Sequence, residues 1–220
     1  MADYAQARRT MVDCQVRPSD VTDLRIIAAL LDVPRERFVA QAQRAVAYLD
    51  IDVPAADGSR RALMKPMVFA KLLQAAGIGE GERVLDVGCA SGYSAAVLSK
   101  LAGDVVALEE DAALGRAASS NLAALGAANV SVVSGPLTGG SPQGAPYDAI
   151  LLEGRVEIVP DALLKQLKDG GRLLAVVGSG TMGKATIYRM AAGCRATAQP
   201  LFDAAAPLLP GFVKPAEFVF

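Results

Sequence analysis

The stretch "RVLDVGCASGYSAAVL" spans residues 83–98. It reads as an apolar run ending at Val87, five small residues from Gly88 to Gly92, and a second apolar run from Tyr93 onward. A strand, a tight glycine loop and a helix in that order form the first unit of a doubly wound sheet, whose ligand crevice lies at the carboxyl ends of its strands. Glu109 ends the next predicted strand, about twenty residues further on, where an acid can accept hydrogen bonds from ribose hydroxyls. Loop and acid together imply a nucleoside site. The plainer reading is a strand-turn-helix junction with a surface glutamate.

The loop also bears on which nucleoside it would hold. A dinucleotide fingerprint needs glycine at its second position so that the backbone can approach a pyrophosphate; here that position is Ala90. Asp86, just before the loop, would repel phosphate and attract an ammonium group. A nucleoside without phosphates fits better, and S-adenosyl-L-methionine is the expected cofactor. Asp86, Gly88, Cys89, Ala90, Ser91, Gly92 and Glu109 are the residues expected to bind it.

Outward from the loop, strands and helices alternate. "VVALEE" and "VSVVSG" read as strands on either side of a helix capped by Asp111. "YDAILLE" and "RLLAVV" read as strands flanking a helix over "PDALLKQLKDGG", residues 160–171. These continuous Val/Leu/Ile runs suit a parallel sheet with both faces covered. "KATIYRMA" and the terminal "AEFVF" are expected as edge strands. Upstream, "KPMVFAKLLQAAG" predicts a helix with Pro66 at its start, Gly77 past its end, and Val68, Leu72 and Ala76 on one face. "VTDLRIIAALLDVP" predicts another, with Leu24, Ile27, Leu30 and Leu31 as its apolar positions.

Composition narrows the function classes. Lys and Arg total 22 against 23 Asp and Glu, a net charge of −1, so counterion release would give little drive to nucleic-acid binding. No run approaches the ~18 apolar residues of a membrane span, and the start lacks a signal-peptide pattern. Three scattered cysteines without a CxxC pair suit a reducing compartment. A cytoplasmic protein without metal, membrane or nucleic-acid partner is expected. There is no histidine, which removes the commonest general base and the commonest zinc ligand.

"VLDVGCASGYSAAVLSKL", "VVALEED", "APYDAILLEG", "VPDALLKQLKDGGRLLAVVG" and "PLFDAAAPLLPGF" resemble the protein-L-isoaspartate O-methyltransferases. So do the leader "MVDCQVRPSDVTDLRIIAALLDVPRERFV" and "MKPMVFAKLLQAAGIGEGERVL". The glycine loop is common to S-adenosylmethionine methyltransferases in general; the leader with "VPRERFV" is more specific. The resemblance implies an α/β, Rossmann-like methyltransferase fold, with a mostly parallel seven-stranded sheet over residues 66–220 and an N-terminal helical extension over 1–65. It implies methyl transfer to the α-carboxylate of an isoaspartyl residue in a damaged protein or peptide, as protein repair. A carboxyl group ordinarily titrates near pH ~4, so it is already ionised at neutral pH and needs no base.

Three positions depart from the family pattern. Where the family reads Ile-Ser-Gln-Pro, with the serine near the methyl acceptor, this chain reads Leu63-Met64-Lys65-Pro66. Ser59 could replace that hydroxyl if the "DGSRR" turn folds inward. The family's Gly-Asp-Gly near adenine is matched by Gly135-Pro136-Leu137, which would hold the base by apolar and backbone contact. After the fourth strand, Glu153-Gly154-Arg155-Val156-Glu157 faces the crevice, and Glu153 is expected among the cofactor-binding residues. Arg155 could clamp a carboxylate through paired N–H bonds, and Lys65 could act as a point charge. The plainer alternatives are an Arg155–Glu157 surface pair and a solvated Lys65. Beside isoaspartyl transfer stand a methyltransferase with a changed acceptor and a non-catalytic S-adenosylmethionine-binding regulatory module. A dehydrogenase is disfavoured by Ala90 and the missing histidine.

Overall fold

A computed structural model describes residues 3–191 and 196–214. The chain opens with α1 (Tyr4–Met11), a wide turn at Val12–Val16, and α2 (Leu24–Asp32). A short hairpin, β1 (Val53–Pro54) with β2 (Ala62–Leu63), precedes α3 (Pro66–Ala76). Then come β3 (Arg83–Val87), α4 (Tyr93–Leu98), β4 (Asp104–Glu109), α5 (Ala112–Ala124), β5 (Val130–Ser134) and β6 (Tyr147–Val156). α6 (Asp161–Leu164), β7 (Leu167–Val177), β8 (Gly183–Arg189) and β9 (Thr197–Ala204) complete the order.

The seven-stranded sheet has the order β5-β4-β3-β6-β7-β8-β9. The five strands from β5 to β7 are parallel and the last two antiparallel. The strand order reverses between β4 and β6 around β3, which places the switch point, and with it the crevice, over the glycine loop. Apolar side chains alternate between the faces: Ala149 and Leu151 join one core, Ile150 and Leu152 the other. The first core runs without a break from the sheet into the N-terminal segment, taking in Met11, Ile27, Leu30, Phe38 and Val53.

Several expectations are corrected by tertiary pairing. The helix predicted over 160–171 ends at Leu164, because Leu167 is drawn into register with Tyr147 and residues 168–171 loop out before Arg172 pairs with Ala149. The outermost strand is β9, which tolerates Pro200 at a sheet edge with a register shift beside it. The "AEFVF" segment lies outside the described residues. In α2, Ile26, Ile27, Ala29 and Leu30 are buried, whereas Leu24 is 72% exposed. Asp23 caps this helix, so Leu24 occupies its first, outward-facing turn.

The start of α3 is set by long-range contacts. Lys65 supplies no side-chain cap, and Pro66 has no N–H to satisfy. Asp52 instead accepts from Lys65 N at 2.9 Å, and Asp50 from Met67 N at 3.1 Å. Arg35, with 0% exposure, holds the same region from beneath. Its Nε donates to the Ala47 carbonyl at 2.7 Å and its Nη2 to the Met64 carbonyl at 2.8 Å. Its guanidinium lies 4.7 Å from the centre of the Tyr93 ring, a cation–π contact. Arg35→Met keeps most of the volume and strips both buried carbonyls of a charged donor. It should cost about 3 kcal/mol, measured as a lower urea midpoint with an unchanged slope; a loss below about 1 kcal/mol would show that the carbonyls find other donors.

Candidate active site

The glycine loop is held in a left-handed backbone. Gly88, Ala90 and Gly92 have φ of 82°, 51° and 96°. At Gly92 a Cβ would lie 3.1 Å from that of Ala118, so glycine lets α4 begin hard against α5. Ala90 carries the cost of a side chain in this region, about 1–2 kcal/mol. The loop is buttressed from outside: the Ser91 hydroxyl donates to the Phe38 carbonyl, and Asn121 Nδ2 to the Ser91 carbonyl at 3.0 Å. Gly88 N and Cys89 N both donate to the Leu108 carbonyl at the end of β4.

Three acids are buried beside the loop. Glu109 Oε1 accepts from Glu110 N and Asp111 N, both at 3.1 Å; its Oε2 accepts from Ala90 N at 2.7 Å. Asp86 Oδ2 accepts from the Ser94 hydroxyl at 2.7 Å, and its Oδ1 has no partner among the described residues. Burial raises the Asp86 carboxyl to about 7, opposed by the Ser94 bond, with the Glu109 charge adding and that of Arg61 subtracting. Glu153, from β6, is pushed well above the usual carboxylate range by burial and then by Asp86, and its Oε1 is also unpartnered. Burial likewise pushes the Cys89 thiol up, the reverse of an activated thiolate.

Arg61 completes this centre, and sequence reasoning missed it. From β2's edge its Nη2 donates to the Gly88 carbonyl at 2.6 Å and reaches Glu109 Oε2 at 3.3 Å. It sits within a polar turn, 27 and 48 positions from those partners, so no local pattern marks it. The space left between Leu63, Met64, Phe69, Tyr93, Glu153 and the loop is ≈ 10 Å³, about one water molecule. The Tyr93 ring packs on Phe38 and Phe69 at 5.7 and 5.8 Å, with its hydroxyl unpartnered among the described residues.

Asp86, Glu109, Glu153 and the Gly88–Gly92 loop are thus brought together. The other expected residues are placed differently. Ser59 stays in the hairpin turn, its Oγ accepting from Arg61 N at 3.0 Å, and is not among the residues lining the cavity. Arg155 is buried and donates to the Gly178 carbonyl at 2.7 Å, with no Arg155–Glu157 pair among the described residues. A surface pair fails because β6 runs on to Val156 and accepts a bridge from Leu208, which covers this end of the strand. Lys65 is half-buried at the head of α3. Leu137 turns into the second core, while Gly135 N donates to the Glu109 carbonyl at 3.3 Å. Among the described residues no cluster of His, Cys, Asp or Glu is placed to hold a metal ion, and no helix is long and apolar enough to cross a membrane.

The fold and the loop-acid pair define a Rossmann-like methyltransferase. Residues 7–197 match the family "Protein-L-isoaspartate(D-aspartate) O-methyltransferase (PCMT)". The chain is 40% identical over 176 residues to protein-L-isoaspartate O-methyltransferase 1 of Rhodopseudomonas palustris (strain HaA2), covering 80% of this chain and 71% of that one. It is 36% identical to the protein-L-isoaspartate O-methyltransferase of Koribacter versatilis (strain Ellin345) over 88% of this chain and 86% of the relative. A solved protein-L-isoaspartate O-methyltransferase superposes with a TM-score of 0.82 at 27% identity, over 93% of this chain and 66% of that one. A Plasmodium falciparum structure described as a putative member in complex with S-adenosyl-L-homocysteine shares the fold, with a TM-score of 0.74 at 17% identity. The chain belongs to the protein-L-isoaspartate O-methyltransferase family.

The raised acids give a signed pH dependence. Between pH ~4 and ~7 the folded state keeps a proton on Asp86 that the unfolded chain releases, so stability falls as pH rises through that window and levels above it. Glu153 shifts in the same direction. Thermal melts from pH 5 to 7.5 should lose on the order of 2 kcal/mol, and Asp86→Asn should flatten part of the slope. Identical slopes in the two proteins would show that Asp86 does not titrate in that window.

Proposed function

We propose that this chain transfers the methyl group of S-adenosyl-L-methionine to the α-carboxylate of an isoaspartyl residue in a damaged protein or peptide, acting in protein repair in the cytoplasm. The observation that carries the reading is membership of the isoaspartyl family across residues 7–197, joined to a buried acid at the end of β4 beside the glycine loop. Residues 66–220 are proposed as the transferase unit and 1–65 as an extension that covers it. No nucleic-acid or membrane partner is proposed.

The residues present suit the cofactor chemically. Asp86 Oδ1 and Glu153 Oε1 are buried acceptors without partners among the described residues, and Glu109 faces the loop. Asp86 is proposed to meet the ammonium group, Glu109 the ribose, and the loop Gly88 to Gly92 the intervening atoms, with Gly135, Pro136 and Leu137 beside the base. S-adenosylmethionine supplies an electrophilic methyl on a sulfonium. The chain's own task is placement, because an ionised carboxylate needs no base and a well-oriented pair gains most from being held in line. Burial raises the proton affinity of Glu153, which lessens its repulsion against an incoming carboxylate. Lys65, half-buried at the head of α3, is the cation proposed for that carboxylate, since Arg155 is engaged with the Gly178 carbonyl.

Met64, buried in the cavity wall where the family carries serine, favours a second reading, a methyltransferase with a changed acceptor. Labelled methyl transfer to an isoaspartyl peptide, with the aspartyl peptide as control, separates the two. Base-labile label on the isoaspartyl peptide alone is the expected result. Donor binding without transfer to either peptide would overturn the repair reading and leave the changed acceptor or the non-catalytic module.

A further inference from the structure

We propose that Arg61 is a built-in occupant of the donor site: its guanidinium holds acceptors that the donor needs, so that donor and Arg61 bind in competition. The inference rests on the donor-site reading above and concerns a residue outside the glycine loop. Arg61 Nη2 lies 2.6 Å from the Gly88 carbonyl and 3.3 Å from Glu109 Oε2. A Cβ on Gly88 would come within 2.5 Å of that nitrogen, so the guanidinium lies directly against the face of the loop. The cavity on the other side of the loop, walled by Met64, Phe69, Tyr93 and Glu153, offers only ≈ 10 Å³, against the several hundred that a nucleoside-sized ligand fills, so a donor must take the face of the loop on which Arg61 lies.

Charge explains both why the cation sits there and why it can be exchanged. Asp86, Glu109 and Glu153 are all buried at this centre, and unpaired buried carboxylates are costly. A guanidinium neutralises part of that charge. A donor with its own sulfonium and ammonium can replace it, cation for cation, whereas a neutral nucleoside could not.

Attachment is light enough to release. Arg172 shows a fixed arginine: Nε, Nη1 and Nη2 are all bonded, two of them to Glu82. Arg61 uses only Nη2 among the described residues, and its Nε is buried without a partner. Its backbone is held in the hairpin by the Ala55 N–H, which donates to the Arg61 carbonyl at 3.0 Å, so release asks only the side chain to swing away. Withdrawing Arg61 therefore disturbs little of the core.

The test is calorimetric titration of S-adenosyl-L-methionine into the full chain and its Arg61→Gln, Arg61→Ala and Arg60→Gln variants, each checked for folding by its melt. Competition predicts about tenfold tighter binding or more in both Arg61 variants, with Arg60→Gln, an exposed neighbour, like wild type. Loss of a structural residue would weaken binding, so the direction discriminates. Equal or weaker binding by folded Arg61 variants overturns the proposal. Absence of binding in every folded variant overturns it together with the donor site. A failed isoaspartyl reading shows up only in the methyl-transfer assay and leaves these affinities untouched.

Discussion

The carboxylate of Glu109 is the point on which the site's geometry converges. Enclosed at the end of β4, it receives N–H donors from Ala90 in the glycine loop and from Glu110 and Asp111 at the start of the next helix, and it faces Arg61 from the hairpin. One side chain thus fixes the loop against the strand, the strand against α5, and the hairpin over both. A charged acceptor makes hydrogen bonds roughly twice as strong as a neutral one, which lets a short loop hold Ala90 in a left-handed conformation that alanine disfavours.

That arrangement concentrates negative charge where water is excluded. The fold answers with cations brought from far along the chain. Arg61 reaches Glu109 directly, and Arg35 lies under Tyr93 with its own bonds spent on Ala47 and Met64. Even so, Asp86 and Glu153 keep raised proton affinities, because burial outweighs the nearby positive charge. A centre of this kind tolerates a cationic ligand, or a cationic side chain in its place, far better than an anionic one.

The N-terminal segment is a structural part of the site. Phe38 and Ala47 give their carbonyls to Ser91 and Arg35, and Asp50 and Asp52 cap α3. The first core is continuous through it, so the crevice wall and the extension are one packed body. This accounts for a turn that reads as merely polar in the sequence becoming the cover of the site.

The order of strands and helices, the start of β3 and the ends of α3 were legible in the sequence because they depend on local physics: apolar period, a proline at the first helical position, a glycine able to adopt φ of 57° past the last. The loop-acid pair was legible for the same reason, since Gly88 to Gly92 and Glu109 lie at the ends of adjacent strands in one βαβ unit. The early end of α6, the edge position of β9, the burial of Arg155 and the place of Arg61 were not. Each is decided by partners distant in sequence: Tyr147 for Leu167, β8 for β9, Leu208 for Arg155, Gly88 and Glu109 for Arg61. The sequence by itself determined the fold class and the donor chemistry, which local spacing encodes. Only the tertiary structure decided which cation lies against the buried acids, because that follows from long-range closure of the hairpin and leaves no local pattern.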